Sequence, residues 1–228
     1  TPLTAIQGYA ETLLGPAGDD RDTARRFLAV IDRHSERLGR LIDDLLALSD
    51  LELGRSPLRL GAVAVDMAVD DVLQILAGRL GPLHVTAEVA PGTPPVWADG
   101  DRLRQVLINL VDNAVKYTPA GGTVRIRVAP ARGPGRTDMV EIVVADTGVG
   151  IPAEDIPRLT ERFFRVDKAR SRELGGTGLG LAIVKHIVQA HGGALAIDST
   201  LGKGTTVRVY FPAAVTSVPA RPPADSRP

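Results

Sequence analysis

Cysteine is absent from the 228-residue chain, which excludes disulfide staples and thiolate metal sites and fits a reducing compartment. A charge excess of either sign is also missing. Lysine plus arginine and aspartate plus glutamate stand at 27 each, so no global field draws the molecule to nucleic acid or to an acidic membrane surface, and an anionic ligand must be held locally. No run approaches the roughly 18 consecutive apolar residues of a membrane span, and the amino terminus lacks the basic-then-apolar order of a signal peptide. These residues are expected to lie in the cytosol. No internal repeat is found. What is present is 44% apolar residues, enough for one sizeable core and a smaller element.

Residues 1 to 54 show helical spacing without strand alternation, broken at "GPAGDDRD" (15 to 22), and so predict a helical hairpin. In its second arm Phe27, Ile31, His34, Leu38, Leu41, Leu45 and Leu48 recur at steps of four and three, the spacing of a coiled-coil seam. Two helices cannot enclose that stripe, which predicts a homodimer through residues 1–54 whose paired hairpins form a four-helix bundle. Gly54 and Pro57 supply the stop. Residues 55–212 are expected to form one domain. Helices near 66 to 79, 101 to 117 and 179 to 191 alternate irregularly with strands at "LHVTAEV", "TVRIRVA", "MVEIVVAD", 194 to 199 and 205 to 211. Strands that follow one another directly argue for an α+β two-layer sandwich with helices on one face. Trp97 reads as core, "PARGPGRTD" (130 to 138) as a flexible connection, and 213–228 as a disordered tail.

Three segments carry chemistry. At roughly 100° per residue, "NLVDNAVKYT" places Asn109, Asp112, Asn113, Lys116 and Tyr117 in one sector, with Leu103, Leu107, Leu110, Val111, Ala114 and Val115 opposite. A solvated stripe would explain this, but two amide oxygens one turn apart also suit a hard cation such as Mg²⁺. The lysine a turn further on can reach a phosphate, and the tyrosine offers a ring face. "VVADTGVGIP" runs a strand into Asp146, then Gly148 and Gly150. A carboxylate there can accept from an exocyclic amine, although the segment taken alone reads more readily as a plain turn. "GGTGLGLAIVKHIVQAHGG" opens a helix with Gly175, Gly176, Gly178 and Gly180, an anion site built from backbone N–H groups and the helix dipole. It is neither a P-loop nor a dinucleotide fingerprint. The basic stretch before it reads as a mobile lid offering Arg165, Lys168, Arg170 and Arg172 to phosphates. His34, His84, His186 and His191 have the bland roles of seam, strand start and helix packing.

These segments, in this order and following "TPLTAIQGYAETLL" and "RLIDDLLALSDLE", closely resemble the cytoplasmic core of bacterial sensor histidine kinases over residues 1 to 212. The resemblance implies a dimerisation and phosphotransfer hairpin followed by a sandwich of the histidine kinase ATPase (Bergerat) type. It implies ATP and Mg²⁺, with Asn113 as principal metal ligand and Asn109 assisting, Lys116 on phosphate, Tyr117 against adenine and Asp146 on the adenine amine. Arg165 falls near the γ-phosphate as a catalytic group, and Gly148, Gly150, Gly176, Thr177, Gly178, Leu179 and Gly180 surround the nucleotide. The implied partner is a response regulator receiver domain; nucleic acid is not expected, and a membrane only through segments upstream, as in the cytoplasmic portion of a membrane-anchored receptor. The family's acceptor histidine lies in a pattern HExxTPL whose threonine matches Thr1, so the acceptor is expected just upstream. Thr1 itself matches the residue that helps position water for dephosphorylation of the regulator. A nucleotide-binding scaffold that docks and dephosphorylates a regulator without kinase activity is the competing reading.

Relatives that hydrolyse ATP carry a glutamate where this chain has Asn109, and a neutral amide is no useful base near neutral pH. Slow intrinsic hydrolysis is therefore expected. A steady-state ATPase turnover of several per second in purified protein would contradict it.

Overall fold

The computed structural model describes residues 2–15, 19–52, 57–133, 136–166 and 176–214. The first helices are α1 (Pro2–Leu13) and α2 (Arg21–Glu52), joined where the sequence loses its periodicity. Asp20 starts α2. Its carboxylate accepts the Thr23 N–H at 3.2 Å and the Thr23 hydroxyl, and its carbonyl accepts the Ala24 N–H at 2.8 Å, satisfying donors that a helix start leaves open. The Thr23 hydroxyl holds the Asp20 carboxyl below its ordinary range. Across the hairpin the Tyr9 and Phe27 rings meet with centroids 5.1 Å apart. Gly54 lies outside the described residues.

The remainder runs β1 (Gly61–Val63), α3 (Val65–Leu80), β2 (His84–Val89), β3 (Val96–Ala98), α4 (Gly100–Tyr117), β4 (Thr123–Gly133), β5 (Arg136–Asp146), a 3-10 turn at Ile156–Arg158, α5 (Gly180–Ala190), β6 (Ala194–Thr200) and β7 (Gly204–Pro212). Five strands form a mixed sheet in the order β2-β4-β5-β7-β6. Only β2 and β4 pair in parallel, with α4 in the connection between them, and the other pairs are antiparallel. Strand period decides the layers. In β4 Val124, Ile126 and Val128 are buried while Arg125 and Arg127 face solvent. The buried face packs under α3, α4 and α5 in one core that includes Leu103, Leu107, Ile142, Ile183, Val209 and Phe211. On the other face Glu141 accepts the Tyr210 hydroxyl at 2.7 Å and stands 3.9 Å from both Arg127 and Arg208. That is the two-layer sandwich expected of the sequence.

Several expectations need correction. β1 and β3 pair antiparallel in a separate two-stranded sheet, and each is three residues long, too short to show alternation. Trp97, read as core, sits on that ribbon and is 46% exposed. The "PARGPGRTD" stretch is not a simple linker: β4 reaches Gly133 and β5 begins at Arg136, with a register irregularity between Ala131 and Gly133. The disordered tail expected from 213 is contradicted at its first two residues. Ala213 bridges to Val96, and the Ala214 N–H donates to the Pro95 carbonyl at 2.8 Å. Residues 215 to 228 lie outside the described residues.

The α2 seam is also divided in a way its period does not show. Leu48 is fully buried and Leu41 partly so, both against the core of the sandwich, whereas Leu45 is 45% exposed. Burying one leucine contributes roughly 1.5–3 kcal/mol, so Leu48 ties the hairpin to the sandwich.

His191 joins the layers from inside. Its ring ends α5, meets Phe211 edge-on at 5.5 Å, and uses both nitrogens. Nε2 accepts the Asp99 N–H at 3.0 Å, so Nδ1 carries the proton and donates to the Ile187 carbonyl at 2.7 Å. Asp99 in turn caps α4 through the Asp101 and Arg102 N–H groups and takes the Arg59 N–H at 2.8 Å. His191→Ala is expected to cost about 2–4 kcal/mol in urea unfolding, by loss of packing and of two hydrogen bonds. A loss under about 0.5 kcal/mol, the size of a surface change, would contradict this role.

Candidate functional site

The cavity at the helix-covered edge of the sheet is assembled from parts of the chain far apart in sequence. It measures about 510 Å³, within the range of roughly 300–1,000 Å³ common for small-molecule sites. Asn109, Asp112, Asn113, Lys116 and Tyr117 all line it, because their sector of α4 is the one the core leaves free. The opposite sector supplies Leu103, Leu107 and Val111 to the core. Lys116 pairs with Asp112 at 2.5 Å, and Arg79 from α3 approaches the same carboxylate at 3.1 Å.

Asp146, at the end of β5, forms another wall. Its Oδ1 accepts the Gly148 N–H at 2.8 Å and the Thr205 N–H at 3.3 Å. Burial pushes its carboxyl above the ordinary range, against the pull of those two amides. The ionised form therefore costs folding free energy at neutral pH, and acidification through the raised pKa relieves that cost.

The glycines divide by function. Gly150 lines the cavity with φ 67°, and a Cβ there would collide with the Thr200 carbonyl. Gly148 is buried beneath the Tyr117 carbonyl and does not line the cavity, so its smallness serves the packing of loop on helix. Gly176, Thr177, Gly178 and Gly180 all line the cavity. A Cβ on Gly180 would stand 3.2 Å from the Asn109 Oδ1, so the glycine segment and the asparagine stripe are in direct apposition. Leu179 departs from expectation: its side chain is fully buried in the core, and only its N–H turns to the segment, donating to the Thr177 hydroxyl at 3.2 Å. The helix begins at Gly180, one residue later than the sequence suggests.

Arg165 lines the cavity and donates to the Gly176 carbonyl. Phe163, two residues earlier, has φ 62° and donates its N–H to the Gly178 carbonyl at 2.9 Å, which binds "ERFFRV" to the glycine segment. Thr1, Lys168, Arg170, Arg172 and Gly175 lie outside the described residues.

Sequence reasoning missed the hairpin's share of the cavity. Arg40 and Asp44 from α2 line it, the Thr177 hydroxyl donates to Asp44 Oδ2 at 2.9 Å, and Arg37 reaches the Gly176 carbonyl at 3.5 Å. Burial pushes the Asp44 carboxyl up, while Thr177 draws it down. No local pattern announces these residues, since nothing in α2 tells which of its faces meets another domain. The apolar floor, with Ile151, Leu159, Ile197 and Val207, was unread for the same reason.

The two glycine positions give opposite expectations. Gly150→Ala should destabilise the fold by about 2 kcal/mol or more, through strain at positive φ and a backbone clash. Gly180→Ala meets only a movable amide and should leave the melting temperature within a few degrees. Equal melting losses in the two variants would contradict the contrast.

Comparison with known proteins agrees with this arrangement. Residues 98–215 match the family profile described as histidine kinase-, DNA gyrase B-, and HSP90-like ATPase, and residues 1–54 match the His Kinase A (phospho-acceptor) domain. The chain is 40% identical over 93% of its length to the sensor histidine kinase WalK of Bacillus subtilis, spanning 34% of that protein. It is 40% identical over 98% of its length to the phosphate regulon sensor protein PhoR of Pseudomonas aeruginosa, spanning 50% of it. The chain thus spans between a third and a half of these relatives. Among solved structures, full-length ShkA in complex with AMPPNP superposes with a TM-score of 0.70 at 28% identity, covering 94% of this chain and 47% of that one. With the phospho-acceptor hairpin ahead of an ATPase sandwich, the chain belongs to the histidine kinase branch of the histidine kinase-, DNA gyrase B-, and HSP90-like ATPase family.

Proposed function

We propose that the protein is the catalytic core of a sensor histidine kinase, which binds Mg-ATP and transfers its γ-phosphoryl group to a histidine and thence to an aspartate of a response regulator. One observation carries the reading: Asn109, Asn113 and Lys116 on α4, Asp146, and Gly176, Thr177, Gly178 and Gly180, three stretches far apart in sequence, line a single cavity. A scaffold without kinase activity has little need of that combination.

The side chains suit the groups of the nucleotide. The Asp146 carboxylate accepts the exocyclic amine of adenine, and the Tyr117 ring and the apolar floor receive the base. The triphosphate extends to the glycine segment, where the first N–H groups of α5 and its dipole favour anions. Lys116 exchanges some of its pairing with Asp112 for a phosphate oxygen. Arg165 lies beside Gly176 at the same end and neutralises charge on the γ-phosphoryl as it transfers.

Magnesium fits the donor set. Asn113 and Asn109 offer neutral oxygens one turn apart on the cavity side of α4 and would hold the ion there. When bound, the ion supplies charge neutralisation and orients the phosphates. Asn109 holds rather than deprotonates water, so ATP is kept for transfer.

The acceptor histidine belongs to the family pattern immediately ahead of Thr1, and Thr1 assists dephosphorylation of the regulator. Residues 1–54 serve as the dimerisation and phosphotransfer unit, residues 55–212 as the ATP-binding domain. The apolar residues of α2 that face away from the sandwich, Leu28, Ile42, Leu45 and Leu46, are exposed and suit burial against a second copy. Among the described residues no helix is long and apolar enough to cross a membrane.

Asp146→Asn is expected to weaken ATP binding by about 100-fold, the worth of a buried charge-assisted hydrogen bond. Because burial raises the Asp146 pKa, wild-type affinity should fall on acidification at a higher pH than an exposed aspartate would give. Calorimetry across pH checks both. Unchanged affinity in the variant removes Asp146 from the site.

A further inference from the structure

Gly176 and Thr177 are held by one face of α2. Arg37 and Asp44 are seven residues apart, two helical turns, and they grip the neighbouring residues through opposite charges: a guanidinium on the Gly176 carbonyl and a carboxylate on the Thr177 hydroxyl. Leu41 and Leu48 continue the same stripe into the core of the sandwich. The grip is therefore built on a packed interface, and it falls at the end of the cavity where the glycine segment meets α5.

Asp44 is out of place electrostatically. A carboxylate stands at the wall of a cavity beside Arg40, Lys116 and Arg165, groups that suit an anion, and unlike Asp112, which is paired with Lys116, it meets a neutral hydroxyl. Its bond also occupies the one proton of the Thr177 hydroxyl, while the oxygen accepts the Leu179 N–H at 3.2 Å. Two donors that a phosphate oxygen would use, the Thr177 hydroxyl and the Leu179 N–H, are thereby engaged.

We infer that Asp44 competes with nucleotide phosphate for Thr177, so that the docked hairpin restrains ATP binding and bound ATP in turn loosens the hairpin. The inference rests on the nucleotide reading of the cavity. Coupling of this kind is reciprocal: whatever affinity ATP loses to the Asp44–Thr177 bond, the bond loses when ATP is present. The nucleoside end of the site is not involved, since Asp146 and the apolar floor lie on other elements. Asp44 thus acts on the phosphates and leaves the base alone. The α2 helix that senses the phosphates in this way is part of the phospho-acceptor domain, so loading of the site is communicated to the hairpin without a relay through the sheet.

The test is calorimetric titration of the whole chain and of Asp44→Asn with Mg-ATP and with adenosine. Asparagine keeps an acceptor for Thr177 and removes the charge. Mg-ATP should bind Asp44→Asn roughly tenfold more tightly than wild type, the scale of one like-charge contact in a partly shielded site. Adenosine affinity should be unchanged, which also reports that the variant is folded. Asp44→Ala, lacking the acceptor as well, should shift the ratio of ATP to adenosine affinity in the same direction, and it decides the matter if the asparagine variant does not fold. A weaker grip on Mg-ATP would mean that Asp44 assists the ion or the phosphates, and an equal gain for adenosine would mean a general loosening; either overturns the competition and leaves the nucleotide reading standing. Absence of saturable binding of both ligands to wild type would instead sink the nucleotide reading, and the competition with it.

Discussion

Everything in the sandwich depends on α4 satisfying two opposed demands along one helix. Leu103, Leu107, Leu110 and Val111 close the core over the sheet, and Asn109, Asp112, Asn113 and Lys116 must then face a cavity. The two sets interleave at helical spacing, so the apolar burial that fixes the rotation of the helix also aims its amides. The amides inherit their position from core packing. That is a firmer support than a loop can offer, since displacing the stripe by one residue would bury Asn109 or expose a leucine.

Its two ends are secured separately. At the start, Asp99 caps the helix, holds the segment before β1 through the Arg59 N–H, and gives its own N–H to the buried His191 ring. At the end, Thr118 bonds back to the Ala114 carbonyl, and the Tyr117 carbonyl takes the Val149 N–H at 3.2 Å, bringing the Asp146 loop against the helix terminus. The cavity thus lies between a helix and a loop that are hydrogen-bonded to each other. The glycine segment closes it from the other side, as near to Asn109 as a residue without a side chain allows.

Much of this was legible. α3, α4 and α5, the five strands of the main sheet and the polar stripe of α4 follow from periods of 3.6 and 2 and from the glycine and proline breaks, all of which are local signals. Short elements were not legible. A three-residue strand such as Val96–Ala98 contains too few positions to reveal a period, and Trp97 looked like core because its exposure is decided by a ribbon the sequence does not announce. Residues 130 to 138 looked like linker because proline and glycine usually break strands, whereas pairing with β5 carries β4 through to Gly133. Leu179 illustrates the converse: it sits in the middle of a glycine motif, yet its side chain belongs to the core.

The sequence by itself determined which chemical groups the molecule offers and which elements carry them, because both are set by residue identity and by neighbours within a few positions. Tertiary structure alone decided what those groups meet. The α2 stripe has the same spacing throughout, but Leu41 and Leu48 pack on the sandwich while Leu45 remains exposed, and Asp44 comes to rest on Thr177, 133 residues away in the chain. No periodicity distinguishes a partner within the chain from a partner outside it. The physical reason is that burial is a property of two surfaces, and one stretch of sequence describes only one of them.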